Sequence, residues 1–135
     1  MSNIAYAIEP DLSADEFIDV LQKTSLGERR PVDDRPRIDG MLRQADLIVT
    51  ARHNGQLVGV SRALTDFQFC TYLSDLAVDE SYQRQGIGRR LIQETHQAAG
   101  PRTMLILISA PQAVTYYPHI GLEQHPSCWV IPRQE

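Results

Sequence analysis

The junction at residues 76–91 constrains the fold of this chain more than any other stretch of its 135 residues. An apolar run that is typical of a strand ends at Val78 and leads, after four residues, into Gln83-Arg84-Gln85-Gly86-Ile87-Gly88. Apolar residues then recur at helical spacing until Gly100-Pro101, which predicts the end of a helix. Two glycines between a strand and a helix allow a sharp turn and direct several amide N–H groups to one place, beside the positive end of the helix dipole. The junction therefore predicts a site for a pyrophosphate group, with arginines at its rim at positions 84, 89 and 90.

Spacing separates the phosphate-binding motifs that could explain this junction. A P-loop needs a lysine after its last glycine, and the only lysine of the chain is Lys23. A dinucleotide-binding fingerprint needs a third glycine, but Leu91 stands at that position and 85 residues precede the loop. The glycines alone leave one further reading open, a helix start with two turn residues and no ligand.

The remaining patterns predict alternating strands and helices around this junction. Ser13 to Glu16 has the spacing of a capping box, and Asn54-Gly55 between two β-rich runs predicts a hairpin. The predicted strands are residues 4–8, 47–52, 57–64, 69–78, 103–109 and 128–131, and the predicted helices are residues 14–24, 38–44, 87–99 and 111–117, with a loop at 27–36.

The order of these elements predicts one mixed α/β (α+β) domain over residues 1–135. The hairpin makes the early strands antiparallel, whereas strand, helix and strand over residues 69–109 form a βαβ unit whose two strands are parallel neighbours. The nearly continuous apolar run at residues 103–109 is typical of a strand that is covered on both faces.

Composition restricts the function. A net charge of −4 argues against a nucleic-acid partner. Residues 1–82 hold 14 acidic and 8 basic residues, and residues 83–135 hold 3 acidic and 5 basic residues. The second part therefore suits an anionic ligand, and the first could favour a cationic one.

No apolar run is long enough to cross a membrane and no signal peptide is evident, so we expect a soluble, cytoplasmic protein. Cys70 and Cys128 are predicted to be reduced core residues, and the spacing of His119, His125 and Cys128 predicts no metal site.

Two motifs in this chain resemble the signatures of the GNAT superfamily of N-acetyltransferases. Leu76-Ala77-Val78 followed by Gln83–Gly88 resembles the family's acetyl-CoA motif, and residues 113–122, with the pair Tyr116-Tyr117 before Gly121, resemble its second signature. The resemblance implies a mixed sheet that is splayed at the cofactor site, with acetyl-CoA as cosubstrate. It further implies that Leu76 and Val78 pair with the pantetheine arm and that the loop holds the pyrophosphate. The cofactor residues so implied are Leu76, Ala77, Val78, Gln83, Arg84, Gln85, Gly86, Ile87, Gly88 and Arg89. Where many members have an asparagine, this chain reads Ser109-Ala110-Pro111.

Acyl transfer to an amine needs a base, an oxyanion donor and a proton for the departing thiolate. Tyr117 aligns with the family's tyrosine acid, which makes Tyr116 the core member of the pair. Asp75, one residue before the apolar triplet, is the candidate base, because a carboxylate there could reach the amine through water. A main-chain N–H near Ala77 or Val78 is the candidate oxyanion donor. Further candidates for the base are Tyr72, Asp66, His119 and His125, and Trp129 is expected to pack in the last strand.

The resemblance thus implies an N-acetyltransferase that moves an acetyl group to the primary amine of a small molecule, an arylalkylamine or a polyamine, by direct transfer in a ternary complex. Two alternatives stay open. One is a protein lysine or N-terminal acetyltransferase, and the other is a non-catalytic acyl-CoA-binding regulatory module. The resemblance also suggests a homodimer, with the exposed edge of the C-terminal strand as the contact.

Overall fold

A computed structural model describes residues 3–134 of the chain, and it contains one five-stranded mixed sheet. The strands are β1 (Ile4–Ile8), β2 (Leu47–His53), β3 (Gln56–Thr65), β4 (Cys70–Val78) and β5 (Met104–Ile106). The helices are α1 (Ala14–Gln22), α2 (Arg35–Arg43), α3 (Ile87–Ala99) and α4 (Tyr116–His119), with 3-10 turns at Ser25–Arg29, Glu80–Tyr82 and Pro111–Ala113. The strands lie side by side in chain order, and the first three pairings are antiparallel, whereas β4 and β5 are parallel. The predicted fold class is confirmed.

Local signals fix the first half of the chain as expected. The Ser13 side chain accepts the Glu16 amide at 3.2 Å and begins α1. Asn54 and Gly55 both have positive φ, of 52° and 82°, which is the conformation that a tight hairpin between β2 and β3 requires. The predicted loop at residues 27–36 is shorter in the structure, because the Asp34 side chain caps α2 and starts that helix at Arg35.

Both faces of the sheet are covered. On one face α1 and α2 bury an apolar cluster against β2, β3 and β4: Leu12, Ala14, Phe17, Val20, Leu21, Ile38, Leu42, Ile48, Leu57, Val60 and Ala77. On the other face Ile87 and Leu91 of α3 pack on β2 and β3. A Cβ at Gly59 would lie 3.1 Å from the Leu91 side chain and 3.2 Å from that of Ile87, so this glycine allows α3 to lie close to the sheet.

Strands β4 and β5 separate soon after they meet. They pair over three residues each, Cys70–Tyr72 of β4 with Met104–Ile106 of β5, while β4 continues to Val78. The opposite edge of β4 contains a bulge, since Ala63 pairs with Leu73 but Arg62 pairs with Asp75, which leaves Ser74 as an extra residue. A bulge bends its strand, and the bend opens a cleft between the second half of β4 and the chain that follows β5.

The C-terminal part differs from the predictions. The strand expected at residues 103–109 has three residues, and Met104 is 61% exposed, so the expected cover on both faces is wrong. The final strand expected at residues 128–131 is absent from the described chain, and Trp129 is 90% exposed there instead of packed. An apolar run indicates residues that are suited to burial, but burial also needs an element that covers them. Strand β5 is the edge of the sheet, and no described element pairs with its outer side.

The two cysteines also differ from expectation in their location. Both are free thiols, but both are exposed, so the prediction of core positions is wrong. Cys70 follows the turn that Asp66 organises, and Cys128 lies in the extended C-terminal segment. Within residues 3–134, none of the helices combines the length and apolar character that a membrane span requires.

Candidate active site

The cleft beside β4 has a volume of about 970 Å³. It brings together the exposed edge of β4, the N-terminus of α3, the segment around α4 and residues 24–30. All but one of the cofactor residues predicted from the sequence line it: Leu76, Ala77, Val78, Gln83, Arg84, Gly86, Ile87, Gly88 and Arg89. Gln85 is exposed and does not line the cleft.

The N-terminus of α3 is open toward this cleft. Gly86 is the N-cap residue, with φ of +82°, and it has no side chain that could bond the amides of the first turn. Arg84 also has a positive φ, of 65°, and the Gln83 side chain donates to the Val78 carbonyl at 3.1 Å, which ties the loop to the end of β4. Helix amides without a capping side chain, next to two arginines, suit an anionic group.

Gly88 lies in close contact with Tyr116. A Cβ at this position would lie 2.7 Å from the Tyr116 hydroxyl oxygen, closer than real side chains come. That hydroxyl accepts the Arg89 amide, so it takes up one donor of the first turn of α3, while burial raises the pKa of the phenol. Tyr116 is 36% exposed and lines the cleft, so its predicted place in the core is wrong. The only sequence signal for this role was its position next to Tyr117.

Tyr117 lies in the same cleft, half-buried, with its ring edge-on to that of Tyr116 at a centroid distance of 5.2 Å. Burial, and secondarily the neighbouring Tyr116, raises the pKa of the Tyr117 phenol. The hydroxyl therefore keeps its proton throughout the neutral pH range. A protonated hydroxyl in the same cleft as an open helix N-terminus is able to act as a proton donor.

Asp75 occupies a different environment from the one that its sequence position suggested. Its side chain is fully buried, with one carboxylate oxygen accepting from Arg30 and the other from Arg62. The same two arginines bond Ser74, Arg30 to its carbonyl at 2.8 Å and Arg62 to its hydroxyl at 3.1 Å. Asp75 does not line the cleft. These contacts hold the bulge of β4 in place and weigh against Asp75 as a general base, a role that stays a prediction.

The other candidates for the base differ in whether they line the cleft. Asp66 accepts the amides of Phe69, Gln68 and Cys70, and these bonds lower its pKa to about 2, which makes it a weak base. Tyr72 is not among the lining residues, and the ring of His125 accepts the Ser127 amide in the exposed C-terminal segment. His119, at the end of α4, does line the cleft. Among residues 3–134, no three His, Cys, Asp or Glu side chains are grouped as metal ligands.

Solved acetyltransferase structures have the same fold. A probable acetyltransferase from meticillin-resistant Staphylococcus aureus superposes with a TM-score of 0.77 at 17% identity, covering 98% of this chain and 100% of that one. A GNAT-family protein from Streptococcus pneumoniae gives a TM-score of 0.74 at 20% identity over 97% and 100% of the two chains. An aminoglycoside N-acetyltransferase in complex with CoA gives 0.72 at 16% identity over 99% and 97%. The fold is therefore that of acetyltransferases.

The chain belongs to the GNAT acetyltransferase family, because the family model described as acetyltransferase (GNAT) domain matches residues 31–127. Curated relatives include the chloroplastic GCN5-related N-acetyltransferase 2 of Arabidopsis thaliana, 33% identical over 53% of this chain and 28% of that protein. The histone acetyltransferase TAP1 of Glycine max is also 33% identical, over 53% of this chain and 32% of that protein. The match thus spans less than a third of the length of these relatives.

Proposed function

We propose that the chain transfers an acetyl group from acetyl-CoA to the primary amine of a small molecule, directly and within a ternary complex. One observation carries the proposal: a tyrosine whose phenol stays protonated, Tyr117, shares a cleft with the open N-terminus of α3. The first supplies a proton and the second binds an anion, and acyl transfer from a CoA thioester needs both.

The residues of the cleft fit acetyl-CoA. The amides of residues 83–88 and the side chains of Arg84 and Arg89 would hold the pyrophosphate. Leu76 to Val78 lie on the stretch of β4 that extends past its pairing with β5, and this edge would bond the amides of the pantetheine arm as a further strand. When bound, acetyl-CoA supplies the activated acetyl group as a thioester.

The side chains around the reacting atoms divide the remaining work. Tyr117 holds a proton at its hydroxyl for the departing sulfur, at a cost of roughly 2 kcal/mol from the reference pKa values of ~10 and ~8.5. An amide near Ala77 or Val78 would donate to the carbonyl oxygen of the acetyl group. We propose that His119 accepts the proton of the attacking amine. Of the histidines and carboxylates that are candidates for the base, His119 is the one that lines the cleft.

The proposed activity predicts that acetyl-CoA and a small primary amine yield free CoA thiol and the acetylated amine in stoichiometric amounts. Thiol release with a colorimetric reagent and mass spectrometry of the product would measure both. A lysine peptide and a free peptide N-terminus belong in the same assay, because one relative is named a histone acetyltransferase. Turnover of peptides alone would favour a protein acetyltransferase, and acetyl-CoA binding without any turnover would favour a binding module.

A homodimer and a cytoplasmic location are further parts of the proposal. The outer edge of β5, with Met104, Ile106 and the following Ile108 exposed, offers apolar surface that a second copy could cover. Sedimentation velocity would show a monomer if this contact does not form. Fractionation of the source cells would test the location, for which the chloroplastic relative is a competing precedent.

A further inference from the structure

The charges around the cleft restrict which amine it can accept. The acidic first half of the sequence suggested a cationic ligand, but the structure places many of those carboxylates in ion pairs or in backbone caps. Ion pairs join Asp15 to Arg35, Asp19 to Lys23, Glu9 and Glu16 to Arg52, and Asp75 to Arg30 and Arg62. The carboxylates that accept backbone amides are those of Asp34, Asp46, Asp66 and Asp79.

The lining of the cleft carries positive charge and, within residues 3–134, includes no Asp or Glu. Arg84 and Arg89 lie at the end that the pyrophosphate would occupy, and His119 lies on the α4 side. The remaining charged lining residue is Arg30, which shares the single buried carboxylate of Asp75 with Arg62. A ligand with several ammonium groups would find no carboxylate partner in this cleft.

The wall of the cleft that residues 24–26 and Leu73 form has no charged side chain. Leu26 is partly exposed and apolar, and the Leu73 side chain is almost fully buried behind this wall. The Thr24 hydroxyl is already occupied, because it donates to the Leu21 carbonyl at 2.8 Å and accepts the Leu26 amide at 3.0 Å. Such a wall contacts an apolar body favourably and gives a second ammonium group no carboxylate to pair with.

We infer that the acceptor is a monoamine with an apolar body, and not a polycation such as a polyamine or an aminoglycoside. This inference rests on the proposed function, and it narrows the two classes that the sequence left open. It also separates the chain from the aminoglycoside acetyltransferases that share its fold, since a common fold at 16% to 21% identity does not extend to the acceptor.

Steady-state kinetics at saturating acetyl-CoA test the inference with three probes: 2-phenylethylamine, spermidine and kanamycin. We expect kcat/KM for 2-phenylethylamine to exceed that for either polycation by about tenfold or more, as a single unfavourable charge contact of modest size produces. Equal or better use of spermidine or kanamycin would overturn the inference and leave the acetyltransferase activity standing. No turnover with any amine, despite acetyl-CoA binding, would instead remove the proposed function, and the inference with it.

A charge placed in the cleft provides a second test. Ser25 is exposed and lines the cleft, so Ser25→Glu adds the missing carboxylate, whereas Gln22→Glu adds the same charge at an exposed position outside the lining. We expect Ser25→Glu to raise the ratio of spermidine to 2-phenylethylamine kcat/KM by about threefold or more, the size of an exposed ion pair, and Gln22→Glu to leave it unchanged. An equal shift in both variants, or none in Ser25→Glu, would contradict the inference.

Discussion

Tyr117→Phe is expected to lower kcat by about two orders of magnitude, the usual contribution of a general acid. The substitution removes only the hydroxyl and keeps the ring that packs edge-on against Tyr116. Acetyl-CoA affinity should change by less than about threefold, because the loop and the β4 edge that would hold the cofactor do not depend on this group. Initial rates of thiol release against both substrates, together with calorimetric binding, measure the two effects separately.

The dependence of turnover on pH has a direction that the pKa of Tyr117 predicts. Since the pKa of Tyr117 is raised, the hydroxyl carries its proton below that pKa and loses it only at more alkaline pH. Activity that depends on the proton should therefore be fully present at neutral pH and fall only at alkaline pH, above the ordinary range of a phenol. Tyr116→Phe is the matched control: it removes the neighbouring hydroxyl, which bonds the Arg89 amide and has no assigned part in proton transfer, so it should leave kcat nearly unchanged. If Tyr117→Phe kept full turnover at every pH, the proton donor would be another group.

Asp75→Asn is expected to destabilise the fold by about 3–5 kcal/mol, the cost of removing one partner from a buried ion pair. The asparagine leaves Arg30 and Arg62 without their buried counter-charge at the β4 bulge. Urea unfolding, followed by circular dichroism, measures the difference in the free energy of unfolding. Asp19→Asn is the control, because Asp19 forms an exposed pair with Lys23 and its loss should cost less than about 1 kcal/mol.

The same variant separates a structural role of Asp75 from a catalytic one. At a temperature where the protein is folded, we expect kcat of Asp75→Asn to stay within several-fold of the wild type, whereas loss of a general base lowers it by about two orders of magnitude. His119→Gln should show that larger loss, because it removes the group to which we assign the proton of the attacking amine. A large loss of kcat in Asp75→Asn combined with an unchanged His119→Gln would restore the role predicted from the sequence.

Local patterns predicted the parts of the fold that local interactions determine. The Ser13 cap, the Asn54-Gly55 turn and the glycine loop before α3 each involve residues close together in the chain, and all three are found where the sequence placed them. The parallel pairing of β4 and β5 followed from the handedness and connection rules for βαβ units. The cleft was therefore predictable in outline, since its two main walls are these elements.

The predictions that were wrong concern contacts between residues far apart in the chain, which the spacing of apolar residues does not predict. Asp75 was assigned to catalysis because it precedes an apolar triplet, but its partners Arg30 and Arg62 lie 45 and 13 residues away in the chain. The apolar run that begins at Thr103 indicated burial, but burial depends on a covering element, and β5 is an edge strand. Tyr116 was assigned to the core, although the absence of a side chain at Gly88 admits its hydroxyl to the helix terminus.

Calorimetric titration of acetyl-CoA into the purified chain measures whether the cleft beside β4 binds this cosubstrate. We predict saturable one-to-one binding with Kd in about the micromolar to sub-millimolar range. Gly88→Val, checked for folding by circular dichroism, should lose most of that affinity, because its side chain would collide with the Tyr116 hydroxyl at the first turn of α3. No heat of binding in the wild-type chain at about 1 mM acetyl-CoA, or equal affinity in Gly88→Val, would contradict the account.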